Sequence, residues 1–252
     1  MKIDLSQQKI LVTGASRGIG RSIAQLLAES GAQVAVHYNR NKAAADAVAA
    51  EIGKGAQVFQ ANLEESRDCV KLVSDVLESF GRIDVLVNNA GIVVPIEQDA
   101  DTDNFVAGWN KTLQVNLVAT ALLCHELIPH FSKQGGGRFI HISSRAAFRG
   151  DTPEYMAYAA SKGGMVAFSR SIARGYGKQG IKSFIVAPGF TRTDMAQEFI
   201  DTYGEEIVLN DLALDTLTEP KDIAPTVLFL ASGMMDHATG CSIDINAGSY
   251  VH

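Results

Sequence analysis

The chain has 252 residues, of which 46% are hydrophobic, and a formal net charge of −6 at pH 7. Such a composition predicts a folded core and argues against a nucleic-acid-binding surface, which would be basic. No apolar stretch reaches the roughly 20 residues that span a bilayer, and the N-terminus lacks the apolar core of a signal peptide. Three widely spaced cysteines fit a reducing compartment. We therefore expect a cytoplasmic protein with no nucleic-acid or membrane partner, folded as one domain over residues 1–252.

Short segments rich in Ile and Val alternate along the chain with longer amphipathic segments. The short segments predict strands at Lys9–Thr13, Gln33–His37, Gln57–Gln60, Ile83–Val87, Arg138–Ile142, Lys182–Val186 and Ser242–Ile245. The longer segments predict helices at Gly18–Ser30, Lys42–Ile52, Glu65–Phe80, Asp103–Phe131, Tyr155–Gly177 and Pro220–Ser232. This alternation predicts an α/β fold: a doubly wound, Rossmann-type sheet of seven parallel strands with helices on both faces. Ligands of such sheets bind at the carboxyl ends of the strands.

A glycine-rich turn follows the first predicted strand. Gly14 permits a tight turn, Gly18 leaves room for a pyrophosphate at the start of the helix, and Gly20 allows close helix packing. The spacing differs from the usual dinucleotide fingerprint, so an ordinary tight turn is the alternative. The candidate cofactor contacts here are Gly14, Ser16, Arg17, Gly18, Ile19 and Gly20.

The end of the second strand tests which dinucleotide the turn would hold. An acidic side chain there would bind the ribose 2′-hydroxyl of NAD, but the segment Tyr38-Asn39-Arg40 contains none. Arg40, together with Arg17, offers a partner for a 2′-phosphate. We therefore predict NADP in preference to NAD; the alternative is that Arg40 is a solvated surface charge.

Motifs later in the chain make the pattern specific. The fourth strand leads into Asn88–Gly91, and a later predicted helix carries Tyr158 and Lys162 four residues apart, on one face. The pair Ser143–Ser144 ends the strand before that helix, and Asn116 lies on the long helix before that strand. With the glycine turn, these motifs resemble the short-chain dehydrogenase/reductase family over roughly the whole chain.

The resemblance implies an oxidoreductase that transfers a hydride between NADP(H) and a carbonyl or secondary alcohol. Its catalytic residues would be Asn116, Ser144, Tyr158 and Lys162. Tyr158 would donate the proton, with its pKa lowered from about 10 by the Lys162 ammonium. Ser144, which aligns better than Ser143, would hydrogen-bond the substrate oxygen. Asn116 would hold a water that connects Lys162 to solvent.

The resemblance also extends the cofactor site beyond the glycine turn. Asn62 stands where the family usually has Asp, and Ala247 stands where it often has Gly, which leaves the adenine contact and the C-terminal packing as open details. No metal-binding motif is present, and His141 is interpreted as a core histidine. Further candidate cofactor contacts are Tyr38, Asn39, Arg40, Asn62, Leu63, Asn89, Ala90, Gly91, Tyr158, Lys162, Pro188, Gly189, Thr191 and Thr193.

Substrate specificity is expected in residues 194–218, predicted as a helical lid. Five apolar side chains there would line a pocket or form the buried stripe of a helix: Met195, Phe199, Tyr203, Ile207 and Leu209. The overall pattern is most similar to 3-oxoacyl-acyl-carrier-protein reductases, which implies an acyl-thioester carbonyl presented by acyl carrier protein. Because that carrier is acidic, basic residues are expected near the site's mouth: Lys133, Arg145, Arg149 and Lys178.

Several alternatives remain open at this stage. A small ketone, sugar or other alcohol is an alternative substrate. A non-enzymatic NADP(H)-binding sensor is an alternative function. The presence of both Tyr158 and Lys162 favours the enzyme. The family resemblance further implies a homotetramer, formed through the long helices and the C-terminal strand.

Overall fold

The computed structural model describes residues 3–193, 196–197, 200–201 and 204–251. These residues form a seven-stranded sheet in which the strands pair in parallel in the order β3-β2-β1-β4-β5-β6-β7. The predicted doubly wound α/β fold is therefore confirmed. The strands are β1 (Lys9–Val12), β2 (Gln33–Tyr38), β3 (Gln57–Gln60), β4 (Val85–Asn88), β5 (Gly137–Ile142), β6 (Ile181–Pro188) and β7 (Ser242–Ile245).

Helices cover both faces of the sheet and bury its apolar strands. The helices are α1 (Gly18–Glu29), α2 (Lys42–Ile52), α3 (Ser66–Phe80), α4 (Thr102–Leu113), α5 (Ala119–Lys133), α6 (Ala146–Arg149), α7 (Met156–Tyr176), α8 (Glu205–Leu209) and α9 (Pro220–Ala231). One core packs α1, α2 and α9 against one face, and the other packs α3, α5 and α7 against the opposite face. None of the helices in this described part is long and apolar enough to cross a membrane.

The connections after β1 and β4 leave the sheet toward opposite faces. β1 leads into α1 on one face, whereas β4 leads toward α4 and α5 on the other. Because β1 and β4 are neighbours, with Val12 paired to Val87, a crevice opens between the two connections at the carboxyl ends of the strands. This switch point positions the candidate site.

The predicted helix Asp103–Phe131 is helical throughout, within Thr102–Lys133, but it is not one regular α-helix. α4 ends at Leu113, the turn Gln114–Val118 is π-helical, and α5 begins at Ala119. A π turn inserts one extra residue into the helical repeat and is common at functional sites. Here it contains Asn116, one of the catalytic candidates.

The segment after β6 leaves the sheet and later comes back beside its own beginning. Thr191 and Thr218 form an isolated parallel bridge, and the Arg192 N–H donates to the Thr218 carbonyl (2.9 Å). Between these ends, α8 carries Ile207, which is 56% exposed, and Leu209, which packs with Phe190 in a small separate cluster. The predicted pocket residues Met195, Phe199 and Tyr203 lie outside the described residues.

Candidate active site

The glycine turn after β1 has the backbone geometry that its composition predicts. Gly14 has φ +63° and Gly18 has φ +54°, a region that L side chains rarely adopt. A Cβ on Gly20 would lie 2.3 Å from the Gly14 carbonyl oxygen and 2.4 Å from the Asn89 amide nitrogen. Glycine at position 20 therefore allows α1 to begin against both the turn and the segment after β4.

Thr13 and Asn89 join the two connections at the switch point. The backbone N–H groups of Asn89 and Ala90 donate to the buried Thr13 hydroxyl (2.9 and 3.0 Å). The Asn89 amide in turn donates to the carbonyls of Thr13 (2.9 Å) and Gly14 (3.1 Å). The predicted cofactor residue Asn89 thus shapes the glycine turn through its side chain.

His37 also supports the glycine turn, a contact that the sequence did not predict. Its Nδ1 accepts from the Gly14 N–H (2.9 Å), and its Nε2 lies 3.2 Å from the Ala61 carbonyl oxygen. These partners require the neutral tautomer that carries its proton on Nε2. Burial lowers the pKa of His37 to about 4, which favours the neutral form. A histidine near the end of a buried strand gives no sequence signal for such a role.

The residues after β2 and β3 lie side by side at one end of the crevice. Asn39 donates from Nδ2 to Asn62 Oδ1 (3.5 Å), and Gln60 donates to the Asn39 carbonyl (3.1 Å). Arg40 is exposed, and residues 36–42 contain no acidic side chain. Tyr38 and Leu63 are instead buried, so their contribution to this end is backbone and packing.

The segment after β6 approaches the glycine turn from the other side. A Cβ on Gly18 would lie 3.4 Å from the Thr193 side chain, which places Thr193 beside the start of α1. Gly189 passes so close to Asn246 that a Cβ on it would lie 2.8 Å from the Asn246 Cα. Thr191 is buried and donates from its hydroxyl to the Gly189 carbonyl (3.1 Å).

Lys162 and Tyr158 share one face of α7. Lys162 is 3% exposed, its Nζ donates to the Ile142 carbonyl (2.8 Å), and Nζ lies 5.7 Å from the Tyr158 ring centroid. Burial lowers the pKa of Lys162 to about 8. Burial also raises the pKa of Tyr158, opposed by its hydrogen bond with Ser144. The expectation of an acidic phenol is therefore not met, and the Lys162 ammonium binds a carbonyl oxygen at the end of β5.

The two adjacent serines after β5 have different partners. The buried Ser143 hydroxyl donates to the Lys162 carbonyl (3.1 Å) and so ties the strand to α7. The Ser144 hydroxyl contacts the Tyr158 side chain and accepts from the Ala146 N–H (3.1 Å). Ser144, and not Ser143, is thus the serine whose hydroxyl is hydrogen-bonded to the Tyr158 side chain.

Asn116 lies fully buried in the π turn and links α7 to the segment after β4. Its Oδ1 accepts from the Ile92 N–H (2.8 Å), while Nδ2 donates to the Ile92 carbonyl and the Ser161 hydroxyl (3.0 Å each). A Cβ on Gly91 would lie 3.3 Å from the Asn116 Oδ1 and 3.4 Å from the Lys162 Nζ. Glycine at position 91 therefore lets both polar side chains approach the strand end.

His141 is a buried structural residue, as the sequence interpretation has it. Its Nδ1 lies 3.2 Å from the Asn88 amide nitrogen, and its Nε2 lies 3.1 Å from the Ser183 hydroxyl. Burial lowers the pKa of His141 to about 3, so the ring is neutral. Across the described residues, no group of three or more His, Cys, Asp or Glu side chains is arranged to hold a metal ion.

The four basic residues expected at the mouth separate into two pairs. Lys133 precedes β5 and Lys178 precedes β6, so both lie at the amino edge of the sheet, and their predicted position is wrong. Sequence proximity to a strand does not reveal which end of it is approached. Arg145 and Arg149 follow β5 at the carboxyl edge, where both guanidiniums bind Asp211.

The residues of the crevice fit a dinucleotide. Glycines 14, 18 and 20 leave the backbone of the turn accessible at the start of α1, where N–H groups attract phosphate. Gly91 leaves the space beside Lys162 free of a side chain. Lys162 and Tyr158 lie at the same carboxyl edge, beyond β5. The candidate phosphate-binding turn and the candidate proton donor thus border one crevice.

Known proteins are similar to this chain in sequence and in fold. Residues 14–250 match the family described as enoyl-(acyl carrier protein) reductase. The chain is 38% identical to a 3-oxoacyl-[acyl-carrier-protein] reductase of Staphylococcus aureus, over 96% of this chain and 97% of the relative. A Sinorhizobium meliloti dehydrogenase/reductase superposes with a TM-score of 0.87 at 31% identity, covering 99% and 98% of the two chains. A Brucella melitensis structure described as ribose-5-phosphate isomerase gives a TM-score of 0.90 at 27% identity, covering 99% and 95%.

Proposed function

Since the chain belongs to the short-chain dehydrogenase/reductase family and is an NAD(P)-dependent oxidoreductase of carbonyl or CH–OH groups, we propose that it reduces a 3-oxoacyl thioester with NADPH. The observation that carries the proposal is the arrangement of Ser144, Tyr158 and Lys162 beside the glycine-bordered crevice. The thioester comes from the relatives described as 3-oxoacyl-[acyl-carrier-protein] reductases. Presentation by acyl carrier protein is part of the proposal. A reductase of another ketone, sugar or alcohol is the alternative within this class.

The proposed chemistry assigns a role to each catalytic side chain. The bound cofactor supplies the hydride. Tyr158 donates a proton to the carbonyl oxygen as negative charge develops there, and Ser144 donates a hydrogen bond to the same oxygen. Because burial raises the pKa of Tyr158, the phenol carries its proton before reduction. Lys162 then stabilises the phenolate that remains.

Asn116 and Gly91 act through position. Asn116 fixes Ile92 and Ser161, and Gly91 leaves room for the Lys162 ammonium. The side-chain amide of Asn116 is committed to protein partners. The proposed water would therefore bind the backbone carbonyl of Asn116 in the π turn. That carbonyl also accepts from the Thr120 hydroxyl (3.0 Å).

NADP is the proposed cofactor in preference to NAD. Arg40 is exposed at the adenosine end, Arg17 stands at the N-cap position of α1, and no carboxylate follows β2 to repel a 2′-phosphate. Replacing Arg40 by Ala is expected to weaken NADPH binding much more than NADH binding. Equal losses for the two cofactors in fluorescence titrations would refute this assignment.

The assay for the proposed reaction is NADPH oxidation with a 3-oxoacyl thioester, attached to acyl carrier protein or to a short thiol. Tyr158→Phe is expected to abolish turnover and to retain NADPH binding. Tyr176→Phe, at the distant end of the same helix, is the matched control and should leave the rate unchanged. Tight NADPH binding without turnover of any carbonyl by the unmodified protein would favour the sensor alternative.

We also propose a single domain over residues 1–252, with residues 194–218 as its substrate lid, and a cytoplasmic homotetramer. Exposed apolar side chains on α4 and at the start of α7 support an interface there, among them Phe105, Val106 and Met156. Sedimentation equilibrium tests the assembly, and Val106→Glu is expected to weaken it. A monomer at all concentrations would refute it.

A further inference from the structure

Two arginines next to Ser144 hold a carboxylate at the mouth of the site. Arg145 follows Ser144 directly and Arg149 ends the single turn of α6, so their side chains share one face. The Asp211 Oδ2 accepts from Arg145 Nη1 (2.7 Å) and from Arg149 Nη1 (2.9 Å). Asp211 lies in the turn after α8, within the proposed lid.

The burial of the three side chains differs. The Arg145 side chain is 14% exposed, whereas Arg149 is 36% and Asp211 44% exposed. Burial and the charge of Arg149 lower the pKa of Arg145, against the opposing effect of Asp211. Bringing two guanidiniums together in a half-buried position is unfavourable without an anion between them. Arg145, the more buried of the two arginines, is therefore held in place by the fold. The neutralising carboxylate comes from the more exposed Asp211.

Other charged groups near this cluster have their own partners or lie apart from it. Glu205 binds Arg192, and Asp151 accepts from the Thr152 N–H (2.9 Å). Asp151 acts on Arg145 and Tyr158 only through its charge. Among the residues that the structure describes, Asp211 is thus the carboxylate in contact with both guanidiniums, and it uses a single oxygen for both.

We infer that Arg145 and Arg149 form a recognition site for a carboxylate carried by the substrate, and that Asp211 occupies this site until the substrate replaces it. Arginine guanidiniums suit this role because their fixed N–H groups match a carboxylate. The site adjoins Ser144, so the recognised carboxylate belongs to the molecule whose carbonyl is reduced. The inference rests on the proposed carbonyl reduction and names a substrate class for it other than the thioester: oxo acids with a free carboxylate.

A latch that only holds the lid is the competing explanation. Exposed ion pairs contribute little to stability. Pairing two arginines with one exposed carboxylate would therefore hold the lid only weakly. The two explanations differ in their effect on substrate charge. A latch affects charged and uncharged substrates alike, whereas a recognition site discriminates between an acid and its ester.

The experiment compares acids with their methyl esters in the NADPH oxidation assay. Acetoacetate, 4-oxopentanoate and 5-oxohexanoate place the carboxylate at increasing distances from the ketone. At least one acid is expected to exceed its ester in kcat/KM by about 10-fold or more, the ratio that a charge-assisted hydrogen bond supplies. The inference would be overturned if the esters, and the N-acetylcysteamine thioester of acetoacetate, were reduced as well as every acid.

Variants identify the residues responsible. Arg149→Gln should raise KM for the preferred acid by about 10-fold with little change in kcat, and leave its ester unaffected. Asp211→Asn should lower KM for the acid, because the competing charge is removed. Arg82→Gln breaks an ion pair with Asp84 just before β4, at the amino edge of the sheet, and is the matched control. Equal effects of Arg149→Gln on acid and ester would favour the latch and overturn the inference.

A binding measurement separates this inference from the proposed reaction. Titration of 4-oxopentanoate and its methyl ester into the NADPH complex of Tyr158→Phe requires no turnover. Tighter binding of the acid that is lost in the Tyr158→Phe, Arg149→Gln double variant supports the recognition site, even if no carbonyl is reduced by the unmodified protein. Equal binding of acid and ester in both complexes overturns it, even if thioesters are reduced.

Discussion

Two buried neutral histidines should make the protein sensitive to mild acid. The pKa is about 4 for His37 and about 3 for His141, against an ordinary value of 6.5. At pH values between 6.5 and these lowered pKa values, the histidines of the unfolded chain bind protons that those of the folded chain do not. The free energy of unfolding therefore falls as the pH decreases below 6.5. At about pH 5 each histidine costs roughly 2 kcal/mol relative to neutral pH, and the pair costs roughly 4 kcal/mol. That is a large part of a typical folding free energy.

The assay is urea unfolding at fixed protein concentration, near neutral pH and near pH 5. His141→Asn removes one titrating group and should reduce the difference in unfolding free energy between the two conditions by roughly 2 kcal/mol. His37→Asn should do the same, whatever its effect at neutral pH. His125→Asn, on the exposed surface of α5, is the control and should preserve the difference. An unchanged difference in both buried-site variants would refute the reasoning.

Three other substitutions test single contacts. Gly91→Ala puts a Cβ 3.4 Å from the Lys162 Nζ and should lower kcat at least about 10-fold with an unchanged circular dichroism spectrum; full activity would contradict the proposed cradle. Ala247 has φ +53°, so Ala247→Gly should raise the unfolding free energy by about 1 kcal/mol in urea; a decrease would show that the left-handed backbone is not strained. Gly20→Ala forces a Cβ to 2.3 Å from the Gly14 carbonyl oxygen and should abolish NADPH binding in fluorescence titrations; normal affinity would contradict the role given to the turn.

Local sequence patterns predicted the parallel sheet and the glycine turn because both depend on short-range rules. Apolar runs bounded by turn residues located the strands to within a few residues, and the spacing of Tyr158 and Lys162 predicted their common face. The presence of Ala247 where the family often has Gly was also visible in the sequence. The structure shows the consequence, because residue 247 adopts a positive φ.

Features that depend on distant contacts were missed. The helical pattern across Gln114–Val118 is continuous, and the π turn there is fixed by hydrogen bonds between Asn116 and Ile92, from a loop 24 residues earlier. The pairing of Arg145 with Asp211 joins residues 66 positions apart. No periodicity reports such contacts. The misplacement of Lys133 has the same origin, since the sheet edge is a property of the assembled fold.

The bridge between Thr191 and Thr218 has a consequence for protein engineering. The excursion from the sheet starts and finishes at adjacent backbone positions, joined by the bridge and by the Arg192 hydrogen bond. Segments with neighbouring ends tolerate exchange and changes of length better than segments that span a domain. A cassette from another reductase that replaces residues 194–217 should therefore transplant substrate preference, while Thr193, Thr191 and the rest of the nucleotide crevice are retained.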